Sequence, residues 1–123
     1  MIILGDKLVP YEDFCFINHI NDIVNTKPNS TLLFKYDEEL LKYCYDNSLN
    51  YAVIVDSIKN AIYSNSLGSK YIISLKELSK QIQIIADTYM FDSKNIAIID
   101  SNDEFESIAK AEIDGVIYTS FLN

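Results

Sequence analysis

The sequence predicts an α/β domain with an open, mainly parallel sheet of about five strands and helices on both faces, preceded by an N-terminal strand or hairpin and a helix. Three observations predict it. Short apolar runs recur at Leu32–Phe34, Ala52–Val55, Tyr71–Ile73, Ile96–Ile99 and Val116–Tyr118, starting 20, 19, 25 and 20 residues apart. Each run is followed by a polar residue and then by apolar residues at helical spacing. Each run is also apolar at successive positions, as expected of strands buried on both faces.

The first thirty residues read differently from the rest. Met1–Leu4 and Leu8–Val9 flank Gly5-Asp6-Lys7, which predicts a small hairpin or one bent strand. Pro10 suits the first turn of a helix, and Glu12 and Asp13 suit its N-terminal dipole. Phe14, Ile17 and Val24 then trace a helical face, with His19 mid-helix at its edge, and Lys27-Pro28-Asn29-Ser30 closes the element as a loop.

From Thr31 the βα rhythm sets in. Thr31–Tyr36 leads through Asp37 to a helix carrying Leu40, Leu41 and Cys44. Tyr51–Val55 leads through Asp56-Ser57 to Ile58, Ala61 and Ile62. Tyr71–Ile73 leads through Ser74 to Leu75, Leu78, Ile82 and Ile85. Ile96–Ile99 leads through Asp100-Ser101 to Phe105 and Ile108, and Val116–Tyr118 closes the series. The returns Asn47-Ser48-Leu49-Asn50, Asn65-Ser66-Leu67-Gly68 and Glu112-Ile113-Asp114-Gly115 place Asn or Gly where a left-handed residue ends a helix. Residues 1–123 form one domain, with 31–123 as its repeating core.

Composition narrows the function. The chain is acidic, net charge −8, and all ten basic residues are lysine. Without arginine there is no bidentate fork for phosphate or guanine, and an acidic surface repels a polyanion. Nucleic acid and anionic membrane are not expected partners. No run approaches a membrane span. The N-terminus lacks the basic start and long apolar stretch of a signal peptide, so a cytoplasmic location is expected. Cys15 and Cys44 lie among aromatic neighbours and read as reduced core residues.

In a parallel sheet a site lies outside the carboxyl ends of the strands. Asp37, Asp56 and Asp100 fall there, with Ser57, Ser74, Ser101 and Thr119 at the same level. Oxygen donors of this kind suit Mg²⁺ beside a phosphate ester. The plainer reading is helix capping: Ser74 with Glu77 and Ser101 with Glu104 match the capping box, and Asp37 and Asp56 are placed to cap as well. No cofactor is expected beyond that Mg²⁺ alternative. The three glycines are scattered, which rules out standard dinucleotide and P-loop signatures.

Nine tyrosines and no tryptophan form an unusual aromatic set. Tyr43, Tyr45 and Tyr63 occupy helix positions that cannot all face inward, and Phe121-Leu122 adds apolar surface near the C-terminus. Tyrosine is enriched at contact surfaces, so these five are candidate interface residues for a homodimer.

The apolar residue, then glycine, then buried strand of residues 31–118 resembles the βα units of Rossmann-like domains, which implies a Rossmann-like or flavodoxin-like three-layer arrangement. Thr26-Lys27-Pro28-Asn29-Ser30-Thr31-Leu32-Leu33-Phe34 and Asp37-Glu38-Glu39-Leu40-Leu41 are similar to small uncharacterised single-domain α/β proteins of epsilon-proteobacteria, and the lysine-, asparagine- and isoleucine-rich composition resembles that of A/T-rich bacterial genomes. That resemblance implies no catalytic residue. The expected function is a non-enzymatic cytoplasmic interaction or regulatory module acting through self-association or a protein partner. The alternative is a small-ligand or divalent-metal protein with its site at the carboxyl edge.

Overall fold

Seven strands and four α-helices follow one another along the chain: β1 Ile2–Leu4, β2 Phe14–Phe16, β3 Thr31–Lys35, α1 Glu38–Asp46, β4 Tyr51–Ile54, α2 Ile58–Ser66, β5 Tyr71–Leu75, α3 Lys76–Thr88, β6 Lys94–Ile99, α4 Phe105–Lys110 and β7 Gly115–Tyr118, alternating from β3 onward. Short 3-10 turns at Ile20–Asn25, Asn102–Glu104 and Thr119–Leu122 complete the chain. The computed structural model describes residues 1–123. All strands are parallel, in the order β1-β7-β6-β5-β4-β3-β2.

The α/β class and the parallel sheet are as the sequence predicts, and all five repeating strands form where their apolar runs lie. The sheet is larger than expected because the N-terminal residues supply both of its edges. β1 pairs with β7 and β2 pairs with β3, so no N-terminal hairpin forms. The helix expected after Pro10 is absent too. Phe14-Cys15-Phe16 alternates as a strand, with Phe14 and Phe16 on the face opposite Cys15, and its pairing with Thr31–Leu33 overrides the helical spacing. His19 consequently precedes a 3-10 turn, where the Asp22 carboxylate accepts from the main-chain N–H of Asn18 (2.9 Å) and of His19 (3.0 Å).

The strand order also overturns the expected helices on both faces. From β3 to β7 each connection steps to the next strand in the same direction. Right-handed crossovers then place every helix on one side. The packing agrees. One row of strand side chains, including Leu32, Phe34, Val53, Ile72, Ala97, Ile99 and Val116, is buried against Leu40, Leu41 and Cys44 of α1, Ala61 of α2, Ile82 of α3 and Ile108 of α4. The opposite row, Leu4, Leu33, Ala52, Tyr71, Ile73, Ile96 and Ile117, packs with no α-helix.

That second face is concave. Phe121, just after β7, lies 5.7 Å from Phe14 and 6.1 Å from Phe16 of β2, ring centroid to centroid, so the curl brings the two sheet edges toward each other. Gly5, at φ +76°, turns the chain out of β1 beneath Phe121. A Cβ there would lie 2.8 Å from the Phe121 Cβ, so both the conformation and the space require glycine. The segment after Gly5 returns to the amino end of the concave face. There the Glu12 carboxylate accepts from Thr31 Oγ1 (2.6 Å), Lys70 Nζ (2.7 Å) and the Tyr71 hydroxyl.

Burial pushes the Glu12 pKa up, but the bonds from Lys70, Thr31 and Tyr71 outweigh it and hold the carboxyl below its ordinary value. The folded state therefore binds this proton less readily than the unfolded chain. Glu12 contributes stability that is complete above the unfolded value of 4.5 and is lost as pH falls through the lower folded value. Melting curves of Glu12→Gln and the parent are expected to differ most near neutral pH and to converge below pH 4.5. A gap that stays constant down the acid limb would contradict this role.

The helix ends depart from expectation at particular residues. Gly68 takes positive φ as its type predicts, but Ser48, Met90 and Glu112 do so at the other returns. A buried polar lattice ties α3 to β6 and β7. Asn95 Nδ2 donates to Ser79 O (2.8 Å) and Gln83 Oε1 (3.0 Å), while Asp114 accepts from Asn95 N (2.8 Å) and Gln83 Nε2 (3.2 Å).

Candidate binding mouth at the carboxyl end of the sheet

The carboxyl ends of β4 to β6 and the concave face meet in an apolar mouth. Its floor follows from the strand register. Leu75 of β5 pairs with Ile98 of β6, Ile98 with Ile117 of β7, and Ile117 with Leu4 of β1, which makes one transverse row. The row is covered at one end only. Phe121 and Leu122 pack on the concave cluster, where Ile117 is 0% and Leu4 2% exposed. At the other end Leu75 is 70% exposed. Around it lies a cleft of about 450 Å³ lined by Ile54, Val55, Asp56, Leu75, Glu77, Leu78 and Ile98.

Sequence reasoning missed this floor because Leu75 fits the helical spacing of Leu78 and Ile82. In the structure β5 runs through Leu75, α3 starts at Lys76, and alternation turns Leu75 to the face opposite Ser74. The signal that could have found it is Tyr71-Ile72-Ile73-Ser74-Leu75 read as a strand of period two.

Of the acidic residues expected at this edge only Asp56 lines the mouth, and each of the three has a local partner. Asp37 Oδ1 accepts from Leu40 N (3.0 Å) and caps α1. Ser57 accepts from Asn60 N (3.1 Å) and caps α2, while Asp56 accepts from the Asn60 side chain (3.2 Å). Ser101 and Glu104 form the capping box the sequence predicts. Asp100 accepts from Thr119 Oγ1 (2.8 Å) at the β6–β7 edge.

Ser74 does not cap. It sits inside β5 on the helix face, 1% exposed, with its hydroxyl unpartnered, because the strand runs one residue past it. Asp37, Asp56 and Asp100 follow β3, β4 and β6, and no group of three or more His, Cys, Asp or Glu side chains comes together to hold a metal ion.

A second, more polar cleft of about 410 Å³ lies at the ends of β1, β6 and β7, lined in part by Asp6, Lys7, Asp100, Ser101 and Tyr118. Its carboxylate at Asp6 is already satisfied. Tyr118 Oη donates to Asp6 Oδ1 (2.6 Å), and the N–H groups of Leu8 (2.8 Å) and Val9 (3.1 Å) donate to Oδ2. The Tyr118 bond, with the two main-chain donors, holds the Asp6 carboxyl below its ordinary value. The same carboxylate pushes the Tyr118 hydroxyl up to about 12. Neither is poised for proton transfer near neutral pH. Lys76 pairs with Glu104, and that bond holds the Glu104 carboxyl low and raises Lys76.

Both cysteines are free, and burial pushes the Cys44 thiol up to about 11, far from a nucleophilic thiolate. Of the aromatic candidates, Tyr45 and Tyr63 are exposed on α1 and α2, and Tyr43 is half-buried. Phe121 and Leu122 fold back onto the sheet. No helix is long and apolar enough to cross a membrane. No protein-family model and no curated protein matches the chain.

Proposed function

We propose that this chain is a non-enzymatic cytoplasmic interaction module that receives an apolar part of a protein partner in the mouth over Leu75. The observation that carries the reading is the half-covered floor: Ile117 and Leu4 lie under the chain's own Phe121 and Leu122, while Leu75 in the same row stands open. The polar groups at this end of the sheet support binding over catalysis. Asp37, Ser57 and Ser101 are used as caps, Asp6 and Asp100 accept from hydroxyls, and the lining of the mouth holds no lysine to neutralise a phosphate ester.

The test uses Nile red, a neutral apolar dye whose emission rises in an apolar site. Its fluorescence is expected to rise with the parent chain and to fall to near background with Leu75→Ser. Leu8→Ser and Ile84→Ser, which remove side chains of similar exposure elsewhere, are expected to behave like the parent. Equal signals from all three variants would remove the mouth as the binding surface. The small-ligand reading is separated by heating with Mg²⁺ or Mn²⁺. No rise in melting temperature is expected, whereas a rise abolished by Asp56→Asn would favour a metal site.

A further inference from the structure

We propose that the partner segment received at the mouth carries leucine-like side chains flanked by lysine or arginine. This rests on the reading of the mouth as a binding surface and adds the chemistry of its occupant. Two observations carry it. The covered half of the floor is filled by the chain's own Phe121 and Leu122, so side chains of that class are what the curvature of this face accommodates, and Leu75 and Ile98 continue the same row.

The rim around the open half is acidic. Asp56 and Glu77 line the cleft. Glu38 and Glu39 at the start of α1 and Asp103 after β6 stand at neighbouring strand ends without an ion-pair partner. Glu77 is held only by Lys80 at 3.3 Å, with the carboxylate largely in water. Apolar floor and acidic rim together select an apolar anchor with cationic neighbours, which the rim also steers into place. A second copy of the same surface is disfavoured, since two acidic rims would then face each other.

The test is binding of three labelled peptides to the full chain, read by fluorescence anisotropy: two leucines between pairs of lysines, the same leucines between pairs of glutamates, and the lysines with serines in place of leucine. The lysine-flanked leucine peptide is expected to bind the parent and to weaken as salt is raised. Its affinity should fall about tenfold with Leu75→Ser, as for an anchor side chain, and also fall with Asp56→Asn. Leu75 is exposed, and unchanged melting curves confirm that both variants fold.

If the glutamate-flanked peptide binds equally well with the same dependence on Leu75, the proposed partner chemistry is wrong while the mouth remains the binding surface. If the serine peptide binds as tightly as the leucine peptide, the rim attracts charge alone and the inference fails. If neither leucine peptide shows binding that depends on Leu75, both the inference and the functional reading fall.

Discussion

Asn95→Ala is expected to destabilise the fold by about 2–4 kcal/mol, because the substitution strands several buried partners at once. Asn95 is 1% exposed. Its amide donates to Ser79 O and Gln83 Oε1, and its carbonyl lies 3.3 Å from Ser79 Oγ. Ser79 and Gln83 are themselves buried, so water does not replace the lost bonds. Gln83 also bonds Asp114 and Asp87, which makes it the link between α3 and the approach to β7. For a chain of this size the loss corresponds to a fall in melting temperature on the order of 10 °C. Thermal denaturation checks it, and a loss below about 1 kcal/mol would show that the lattice relaxes around the hole.

Gly115→Ala is the second large effect, and it acts on one edge. A Cβ at Gly115 would lie 2.5 Å from the main-chain oxygen of Ile2, 2.7 Å from the Ile2 Cβ and 2.9 Å from the Ile96 Cδ1. The Ile96 methyl can swing away, but the Ile2 backbone can move only if β1 moves. β1 is three residues long and pairs only with β7, so it is the element that yields. Overpacking of this kind costs about 1–3 kcal/mol. Amide hydrogen exchange is expected to quicken at Ile2 and Leu4, whose N–H groups face β7, and along β7, with β4 and β5 unchanged. Uniform quickening over all strands, or none, would contradict a local displacement of β1.

The parts of the fold that were legible in the sequence are those set by local pattern. The runs around Leu32, Val53, Ile72, Ala97 and Val116 are strands because apolar side chains on both faces leave them no other stable place. Asp37, Ser57 and Ser101 cap helices because short oxygen-bearing side chains suit free N–H groups wherever those occur.

The unread parts depend on partners distant in sequence. Phe14-Cys15-Phe16 is ambiguous until β3 lies beside it. Strand order has no local signature, and with it went the placement of the helices on one face and the separation of Asp37, Asp56 and Asp100. One residue decided the candidate site. Read as helix, Leu75 belongs to the core; as the last residue of β5 it faces the concave side and opens the mouth.

The central claim is that this mouth, and not the helix-covered face, is where the molecule binds. Methyl-resolved NMR of the isoleucine and leucine side chains during titration with the lysine-flanked leucine peptide tests it most directly. The Ile54, Leu75 and Ile98 methyls are expected to shift progressively, while Ile108 of α4 and Ile113, packed together on the other face, stay still. Shifts confined to the helix-face methyls, or an unperturbed Leu75 at saturation, would contradict it.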